Sequence, residues 1–241
     1  MPDQKRRNLL ALTAAVVVAA PAARAALIRN GLPWVPSAAD PPSQAGAGGW
    51  QYFTPEEADA MEAIVDRLIP PDPETPGGKD CGCAVFIDRQ LAGPYGRADS
   101  SYMMGPFHEG TKEQGEQSPQ TPAERYRAGL AALDRYCKEQ FGGARFAQLA
   151  DDKKDSLLKG LETGSVTLPG ADSKVFFRHA LIDTQQGFFA DPVYGGNRDM
   201  ASWKMIGFPG ARYDYRDWVH RHNERFPLPP ISIREHPNWK G

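Results

Sequence analysis

Two stretches of this sequence begin in the same way, and together they narrow the fold class more than any other feature. Thr54-Pro55-Glu56-Glu57 and Thr121-Pro122-Ala123-Glu124 both read T-P-x-E. A threonine at the N-cap accepts the amide three residues on, the glutamate reaches back to the cap amide, and proline fits the first helical position. After the first start, Ala58, Met61, Ile64, Val65 and Leu68 fall on one helical face until Pro70-Pro71 stops it, which predicts a helix over Thr54–Ile69. After the second, Tyr126, Leu130, Leu133, Cys137 and Phe141 keep helical spacing up to Gly142-Gly143, a helix over Thr121–Phe141. Weaker helical patterns cover Ala84–Leu91, Asp151–Leu161, Asp172–Phe189 and Arg198–Ile206, with a turn or two at Asp217–Arg225. No alternating run is long enough for a sheet. The expected fold is all-α: an irregular small helical domain of four to six helices. The 22 prolines and 24 glycines supply long connections and extended termini.

The ends of the chain read differently. Residues 1–25 have the form of a signal peptide: Lys5, Arg6 and Arg7 ahead of an apolar run from Leu9 to Ala20, then Ala23-Arg24-Ala25 as a cleavage pattern. The run is shorter than the ~20 residues a membrane-spanning helix needs. Arg6-Arg7 followed by Asn8-Leu9-Leu10 is similar to a twin-arginine export signal, although Lys5 stands where Ser or Thr is usual. Residues 26–49 form a Pro/Ala/Gly-rich arm, 50–225 the helical domain, and 226–241 a Pro-rich tail.

Charge and composition exclude several functions. With 28 basic and 30 acidic residues there is no basic field for nucleic acid. Cleavage after Ala25 would remove four basic residues and one acidic residue, leaving 24 and 29, a net charge of −5. The acidic residues Glu56, Glu57, Asp59, Glu62 and Asp66 are read as a solvated face and not as metal ligands. His108, His179, His220, His222 and His236 are scattered. Only His220-x-His222 beside Asp217 clusters, and a metal site there needs a third ligand. Tyr52, Asp88 and Arg89 have ordinary structural explanations near helix starts. No G-x-G-x-x-G follows a strand and no CxxCH occurs, so the chain is expected to hold no cofactor, no metal and no catalytic residue of its own. Cys81-Gly82-Cys83 is too close for a relaxed internal bridge, and three thiolates are too few for an iron–sulfur cluster. The disulfide expected from sequence joins Cys137 to either Cys81 or Cys83.

The aromatic residues concentrate in Gly187–Tyr215, GFFADPVYGGNRDMASWKMIGFPGARYDY, between glycines and two prolines. Aromatics bury large areas and anchor contacts, while glycine lets backbones approach closely. Two readings stay open: an aromatic core segment, or a rigid surface built to dock on a protein. Tyr194, Trp203, Phe208 and Tyr213 are the candidate interface anchors. Tyr102, Met103, Met104 and Phe107 form an apolar island in the polar stretch Arg97–Gln120, either tucked into the core or held out to a partner.

This aromatic segment, together with YFTPEEADAMEAIVDRLIPPDPETPGGKDCGCAVFIDRQLAGPYG at 52–96, resembles the gluconate 2-dehydrogenase subunit 3 family. The resemblance implies a mainly helical small (gamma) subunit of a membrane-bound dehydrogenase. The implied partners are a large FAD-containing subunit, a multihaem cytochrome c subunit and the twin-arginine translocase, with FAD and haem c carried by the partners. The implied location is the periplasm, at the inner membrane. The implied reaction of the complex turns D-gluconate into 2-dehydro-D-gluconate, with electrons passing to quinone. The same role in a sorbitol, fructose or glucose dehydrogenase stays open, as does an independent periplasmic enzyme with an unrecognised site.

Overall fold

The computed structural model describes residues 49–108, 110–114, 118–212 and 215–233. Six α-helices occupy them: α1 (Pro55–Leu68), α2 (Cys83–Ala92), α3 (Pro122–Gln140), α4 (Asp151–Thr163), α5 (Ser173–Phe189) and α6 (Ala201–Ile206). Short 3-10 turns stand at Lys112–Gln114, Phe146–Gln148, Pro192–Tyr194, Arg198–Met200 and Arg216–Trp218. There is no strand among the described residues beyond one isolated parallel bridge, Gly210 with Ile231. The all-α expectation holds, and so does the number of helices.

Both T-P-x-E starts form complete capping boxes, with Thr54 and Glu57 closing one and Thr121 and Glu124 the other. The two starts also meet in space. Arg127 on α3 pairs with Glu57 on α1, donates to the Tyr52 carbonyl at 2.9 Å, and lies 4.3 Å over the Tyr52 ring. The Tyr52 hydroxyl donates to the Ala123 carbonyl at the start of α3. The acidic face read on α1 is thus partly engaged: Glu57 serves cap and ion pair, and Glu62 pairs with Lys79 at 3.0 Å.

The centre of the molecule is α5, which packs on α1, α2, α3, α4 and α6. Its buried residues Phe176, Phe177, Ala180, Asp183, Thr184, Gly187 and Phe188 lie around much of its circumference. A helix enclosed by neighbours has no broad solvent face, so its apolar pattern is blurred. The periodic positions of α1, α3 and α4 meet this central helix: Met61, Ile64, Leu130, Leu133, Leu157 and Leu161 are all buried in one continuous cluster.

Two buried carboxylates inside the fold are well supplied with donors. Asp88 is fully buried on α2. Its Oδ1 accepts the Tyr52 and Phe53 amides, both at 2.9 Å, and its Oδ2 accepts the Gln51 amide at 2.8 Å and the Arg89 guanidinium at 2.7 Å. Arg89 also donates to the Gly49 carbonyl at 3.2 Å. Asp183 on α5 accepts the Tyr126 hydroxyl at 2.7 Å and the Tyr95 hydroxyl at 3.2 Å. Burial pushes the Asp183 carboxyl above its usual range and the Tyr126 phenol well above its own.

Candidate functional site

The aromatic segment separates into a held inner part and an offered outer part. Where α5 ends, Asp191 caps the 3-10 turn Pro192–Tyr194 by accepting the Val193 amide at 3.0 Å. Gly195 takes φ +99°. At Gly196 a β-carbon would stand 2.1 Å from the Gly187 carbonyl oxygen, so the chain doubles back against α5 at a distance only glycine allows. Fully buried Asn197 then braces the turn. Its Nδ2 donates to the Ala190 carbonyl at 2.9 Å, and its Oδ1 accepts the Ser202 amide at 3.0 Å and hydroxyl at 2.7 Å. The sequence predicts one helix over Arg198–Ile206. The structure breaks it, because Asp199 and Met200 take positive φ of 57° and 54°, and only Ala201–Ile206 is α-helical. The Asn197 brace explains the break: a side chain that binds Ser202 sets its own turn in place of a helical one.

The structure describes three of the four candidate anchors. Trp203 is only 5% exposed, and its indole N–H donates to the Phe189 carbonyl at 2.9 Å; it is a core residue and not a free anchor. Phe208 sits edge-on to Trp203, with centroids 5.1 Å apart, and is 43% exposed. Tyr194 is 38% exposed. Tyr213 lies outside the described residues. The sequence reading overlooked Phe189, Met205 and Ile206, all exposed beside these residues in sequence. Trp203 is thus held against the end of α5 and the Phe208 ring, while Phe189, Tyr194, Met205, Ile206 and Phe208 are exposed.

The apolar island divides in the same manner. Met103 and Phe107 are half-buried, while Tyr102 is 81% and Met104 72% exposed.

The other expected sites fall as follows. Arg6 and Arg7 lie outside the described residues. Cys81, Cys83 and Cys137 are buried free thiols, so the structure does not contain the expected bridge from Cys137 to Cys81 or Cys83. Burial pushes these thiols up, Cys81 to about 11 and Cys83 and Cys137 to about 12, as fits packed side chains in an apolar interior. His220 and His222 are exposed, and no group of three metal-binding side chains occurs among the described residues. No described helix is long and apolar enough to cross a membrane.

Residues 55–210 match the family described as gluconate 2-dehydrogenase subunit 3, and the chain belongs to that family. The match begins at α1 and ends at Gly210, so it takes in all six helices and the aromatic turn. No curated protein and no solved structure matches the chain.

Proposed function

We propose that this chain is the non-catalytic small subunit of a periplasmic, membrane-bound, FAD-dependent dehydrogenase complex, and that it stabilises and escorts the catalytic subunit. The observation that carries this reading is the exposed group Phe189, Tyr194, Met205, Ile206 and Phe208, held on a braced turn inside the family-matched residues. Exposed apolar residues on a rigid support are the ordinary make-up of a protein-docking surface. The partner is the large subunit carrying FAD, and a multihaem cytochrome c subunit completes the complex at the inner membrane. The complex oxidises D-gluconate to 2-dehydro-D-gluconate and passes electrons to quinone. Arg6-Arg7 gives the pair its route through the twin-arginine translocase, because a folded flavoprotein crosses only bound to a subunit that carries the signal. Binding to the native flavoprotein alone stabilises it by mass action.

Two measurements test this. The full chain, purified from its native membranes, carries with it a protein with flavin absorbance and gluconate-oxidising activity; purification without any flavoprotein overturns the docking role. Arg6→Lys with Arg7→Lys keeps the charge and removes the arginine pair. It leaves the large subunit in the cytoplasm. Normal periplasmic levels of the large subunit would leave only a structural role.

A further inference from the structure

The family match stops at Gly210, yet the chain continues and returns. Ala211 donates its amide to the Ile231 carbonyl at 2.8 Å, the Ile231 amide reaches the Pro209 carbonyl at 3.3 Å, and Arg212 donates to the Pro229 carbonyl at 2.6 Å. Gly210 permits this approach: it has φ +77°, and a β-carbon there would stand 2.1 Å from the Ile231 carbonyl oxygen. The returning segment ends on Asp191. That carboxylate, already capping the Pro192–Tyr194 turn, accepts the buried Ser232 hydroxyl on Oδ1 and the Ile233 amide on Oδ2, both at 2.7 Å. One side chain therefore ties the brace under the aromatic platform to a segment 42 residues away.

Between the two ties lies residues 215–228, a loop with little core of its own. Phe226 gathers it: Tyr215 packs at 5.8 Å and Trp218 at 5.3 Å between ring centroids, and the buried Arg212 guanidinium lies 5.5 Å over the ring. Outward from this cluster stand exposed Val219 and Leu228, and Arg221 lies 4.3 Å over the Trp218 ring. Exposed Lys204, Arg216, Arg221 and Arg225 lie in this part of the chain with exposed Asp217 and Glu224, an excess of basic over acidic side chains in a sequence whose formal charge is −2. Tryptophan, tyrosine and arginine together are the composition of binding hot spots.

We propose that Asp191 is a latch that positions the C-terminal segment as part of the docking surface, and that residues 215–228 engage a face of the flavoprotein subunit whose apolar centre is rimmed with carboxylates. The proposal rests on the docking role given above. Asp191 is a positioning residue: it touches no partner, and it sets where Trp218, Val219 and Leu228 stand. Opposite charge around an apolar centre raises association rate and fixes register.

The test uses the full chain with Ser232→Ala, Asp191→Asn and Gly210→Ala. Ser232→Ala removes one donor and leaves the Asp191 cap on Val193 intact; Gly210→Ala opens the strap from its other side. Hydrogen exchange at the Ala211, Ile231 and Ile233 amides reads the latch without any partner. Exchange there rises about tenfold or more in each variant, while the amides of α1, α3 and α5 keep their protection. Capture of the flavoprotein weakens about tenfold in the same variants and loses its strength as salt is raised in wild type. Unchanged exchange in all three variants overturns the latch. Raised exchange with undiminished capture overturns its part in docking, as does wild-type binding to phosphatidylglycerol vesicles through the tail cations in place of the flavoprotein. A wild-type chain that captures no flavoprotein overturns the docking role itself, and the exchange measurement still decides the latch.

Discussion

The helical body and the segment after α5 are built on different physics. From α1 to α5 the chain is held by many interchangeable apolar contacts, with Met61, Ile64, Leu133 and Leu161 all closed off from solvent. After α5 it is held by a few polar residues that each make several specific bonds: Asp191, Asn197 and Ser232. Apolar packing spreads its stabilisation over a volume, so the body tolerates repacking. Polar bracing concentrates it, so loss of one side chain releases a whole turn while the body stands. A platform meant to hold a few exposed apolar residues in fixed positions is better served by the second kind of support, because a conventional core would draw those residues inward.

The comparison can be broken most forcefully in the body. Leu161→Ala lowers global stability by about 2–5 kcal/mol through lost burial and the cavity left behind, seen as a fall in the denaturant midpoint. Asp88→Ala ranks next, at about 3 kcal/mol, since it strands three amides and the Arg89 charge together. Asn197→Ala sharpens the contrast: about 1–3 kcal/mol is lost locally, as raised exchange at the Ser202 amide, with little change in the global midpoint. A global loss equal to that of Leu161→Ala would erase the distinction between the two regions.

The smallest effect concerns pH. Asp183 has its carboxyl raised by burial, so the native state favours its protonated form. The stability this group contributes is fully present below its unfolded value, near ~4, and is lost as pH rises through the higher folded value. Asp183→Asn keeps an acceptor for Tyr126 and carries no charge. The variant therefore gains on wild type as pH rises above about 4, in paired denaturation curves. A constant difference across that range would mean the carboxyl titrates alike in both states.

Legibility in the sequence follows the same division. Capping boxes and apolar periodicity located α1 and α3 to within a residue, because both signals act over one or two turns of local chain. The helix α5 was found from its pattern, but its place at the centre was not, since enclosure by five neighbours is a property of the whole fold. The aromatic segment stands out in the sequence, but whether Trp203 is a docking anchor or a core residue stays open there. Its indole bond to the Phe189 carbonyl is made between residues 14 apart and leaves no local trace. The expected cysteine bridge came from counting thiols. The structure instead buries each one singly as a small apolar side chain. The tail was separated from the domain at residue 226 for its prolines, yet residues 229–233 are tied back by Asp191 and Gly210.

One consequence of the Asp88 clamp is mechanical. A motor that grips residues N-terminal to Gly49 and pulls must first part Arg89 from the Gly49 carbonyl. It then meets three amide bonds to one buried carboxylate before it reaches the Thr54 cap. Traction on the leading end is therefore carried into α2, which is packed against the central helix, and is not spent in peeling α1 turn by turn.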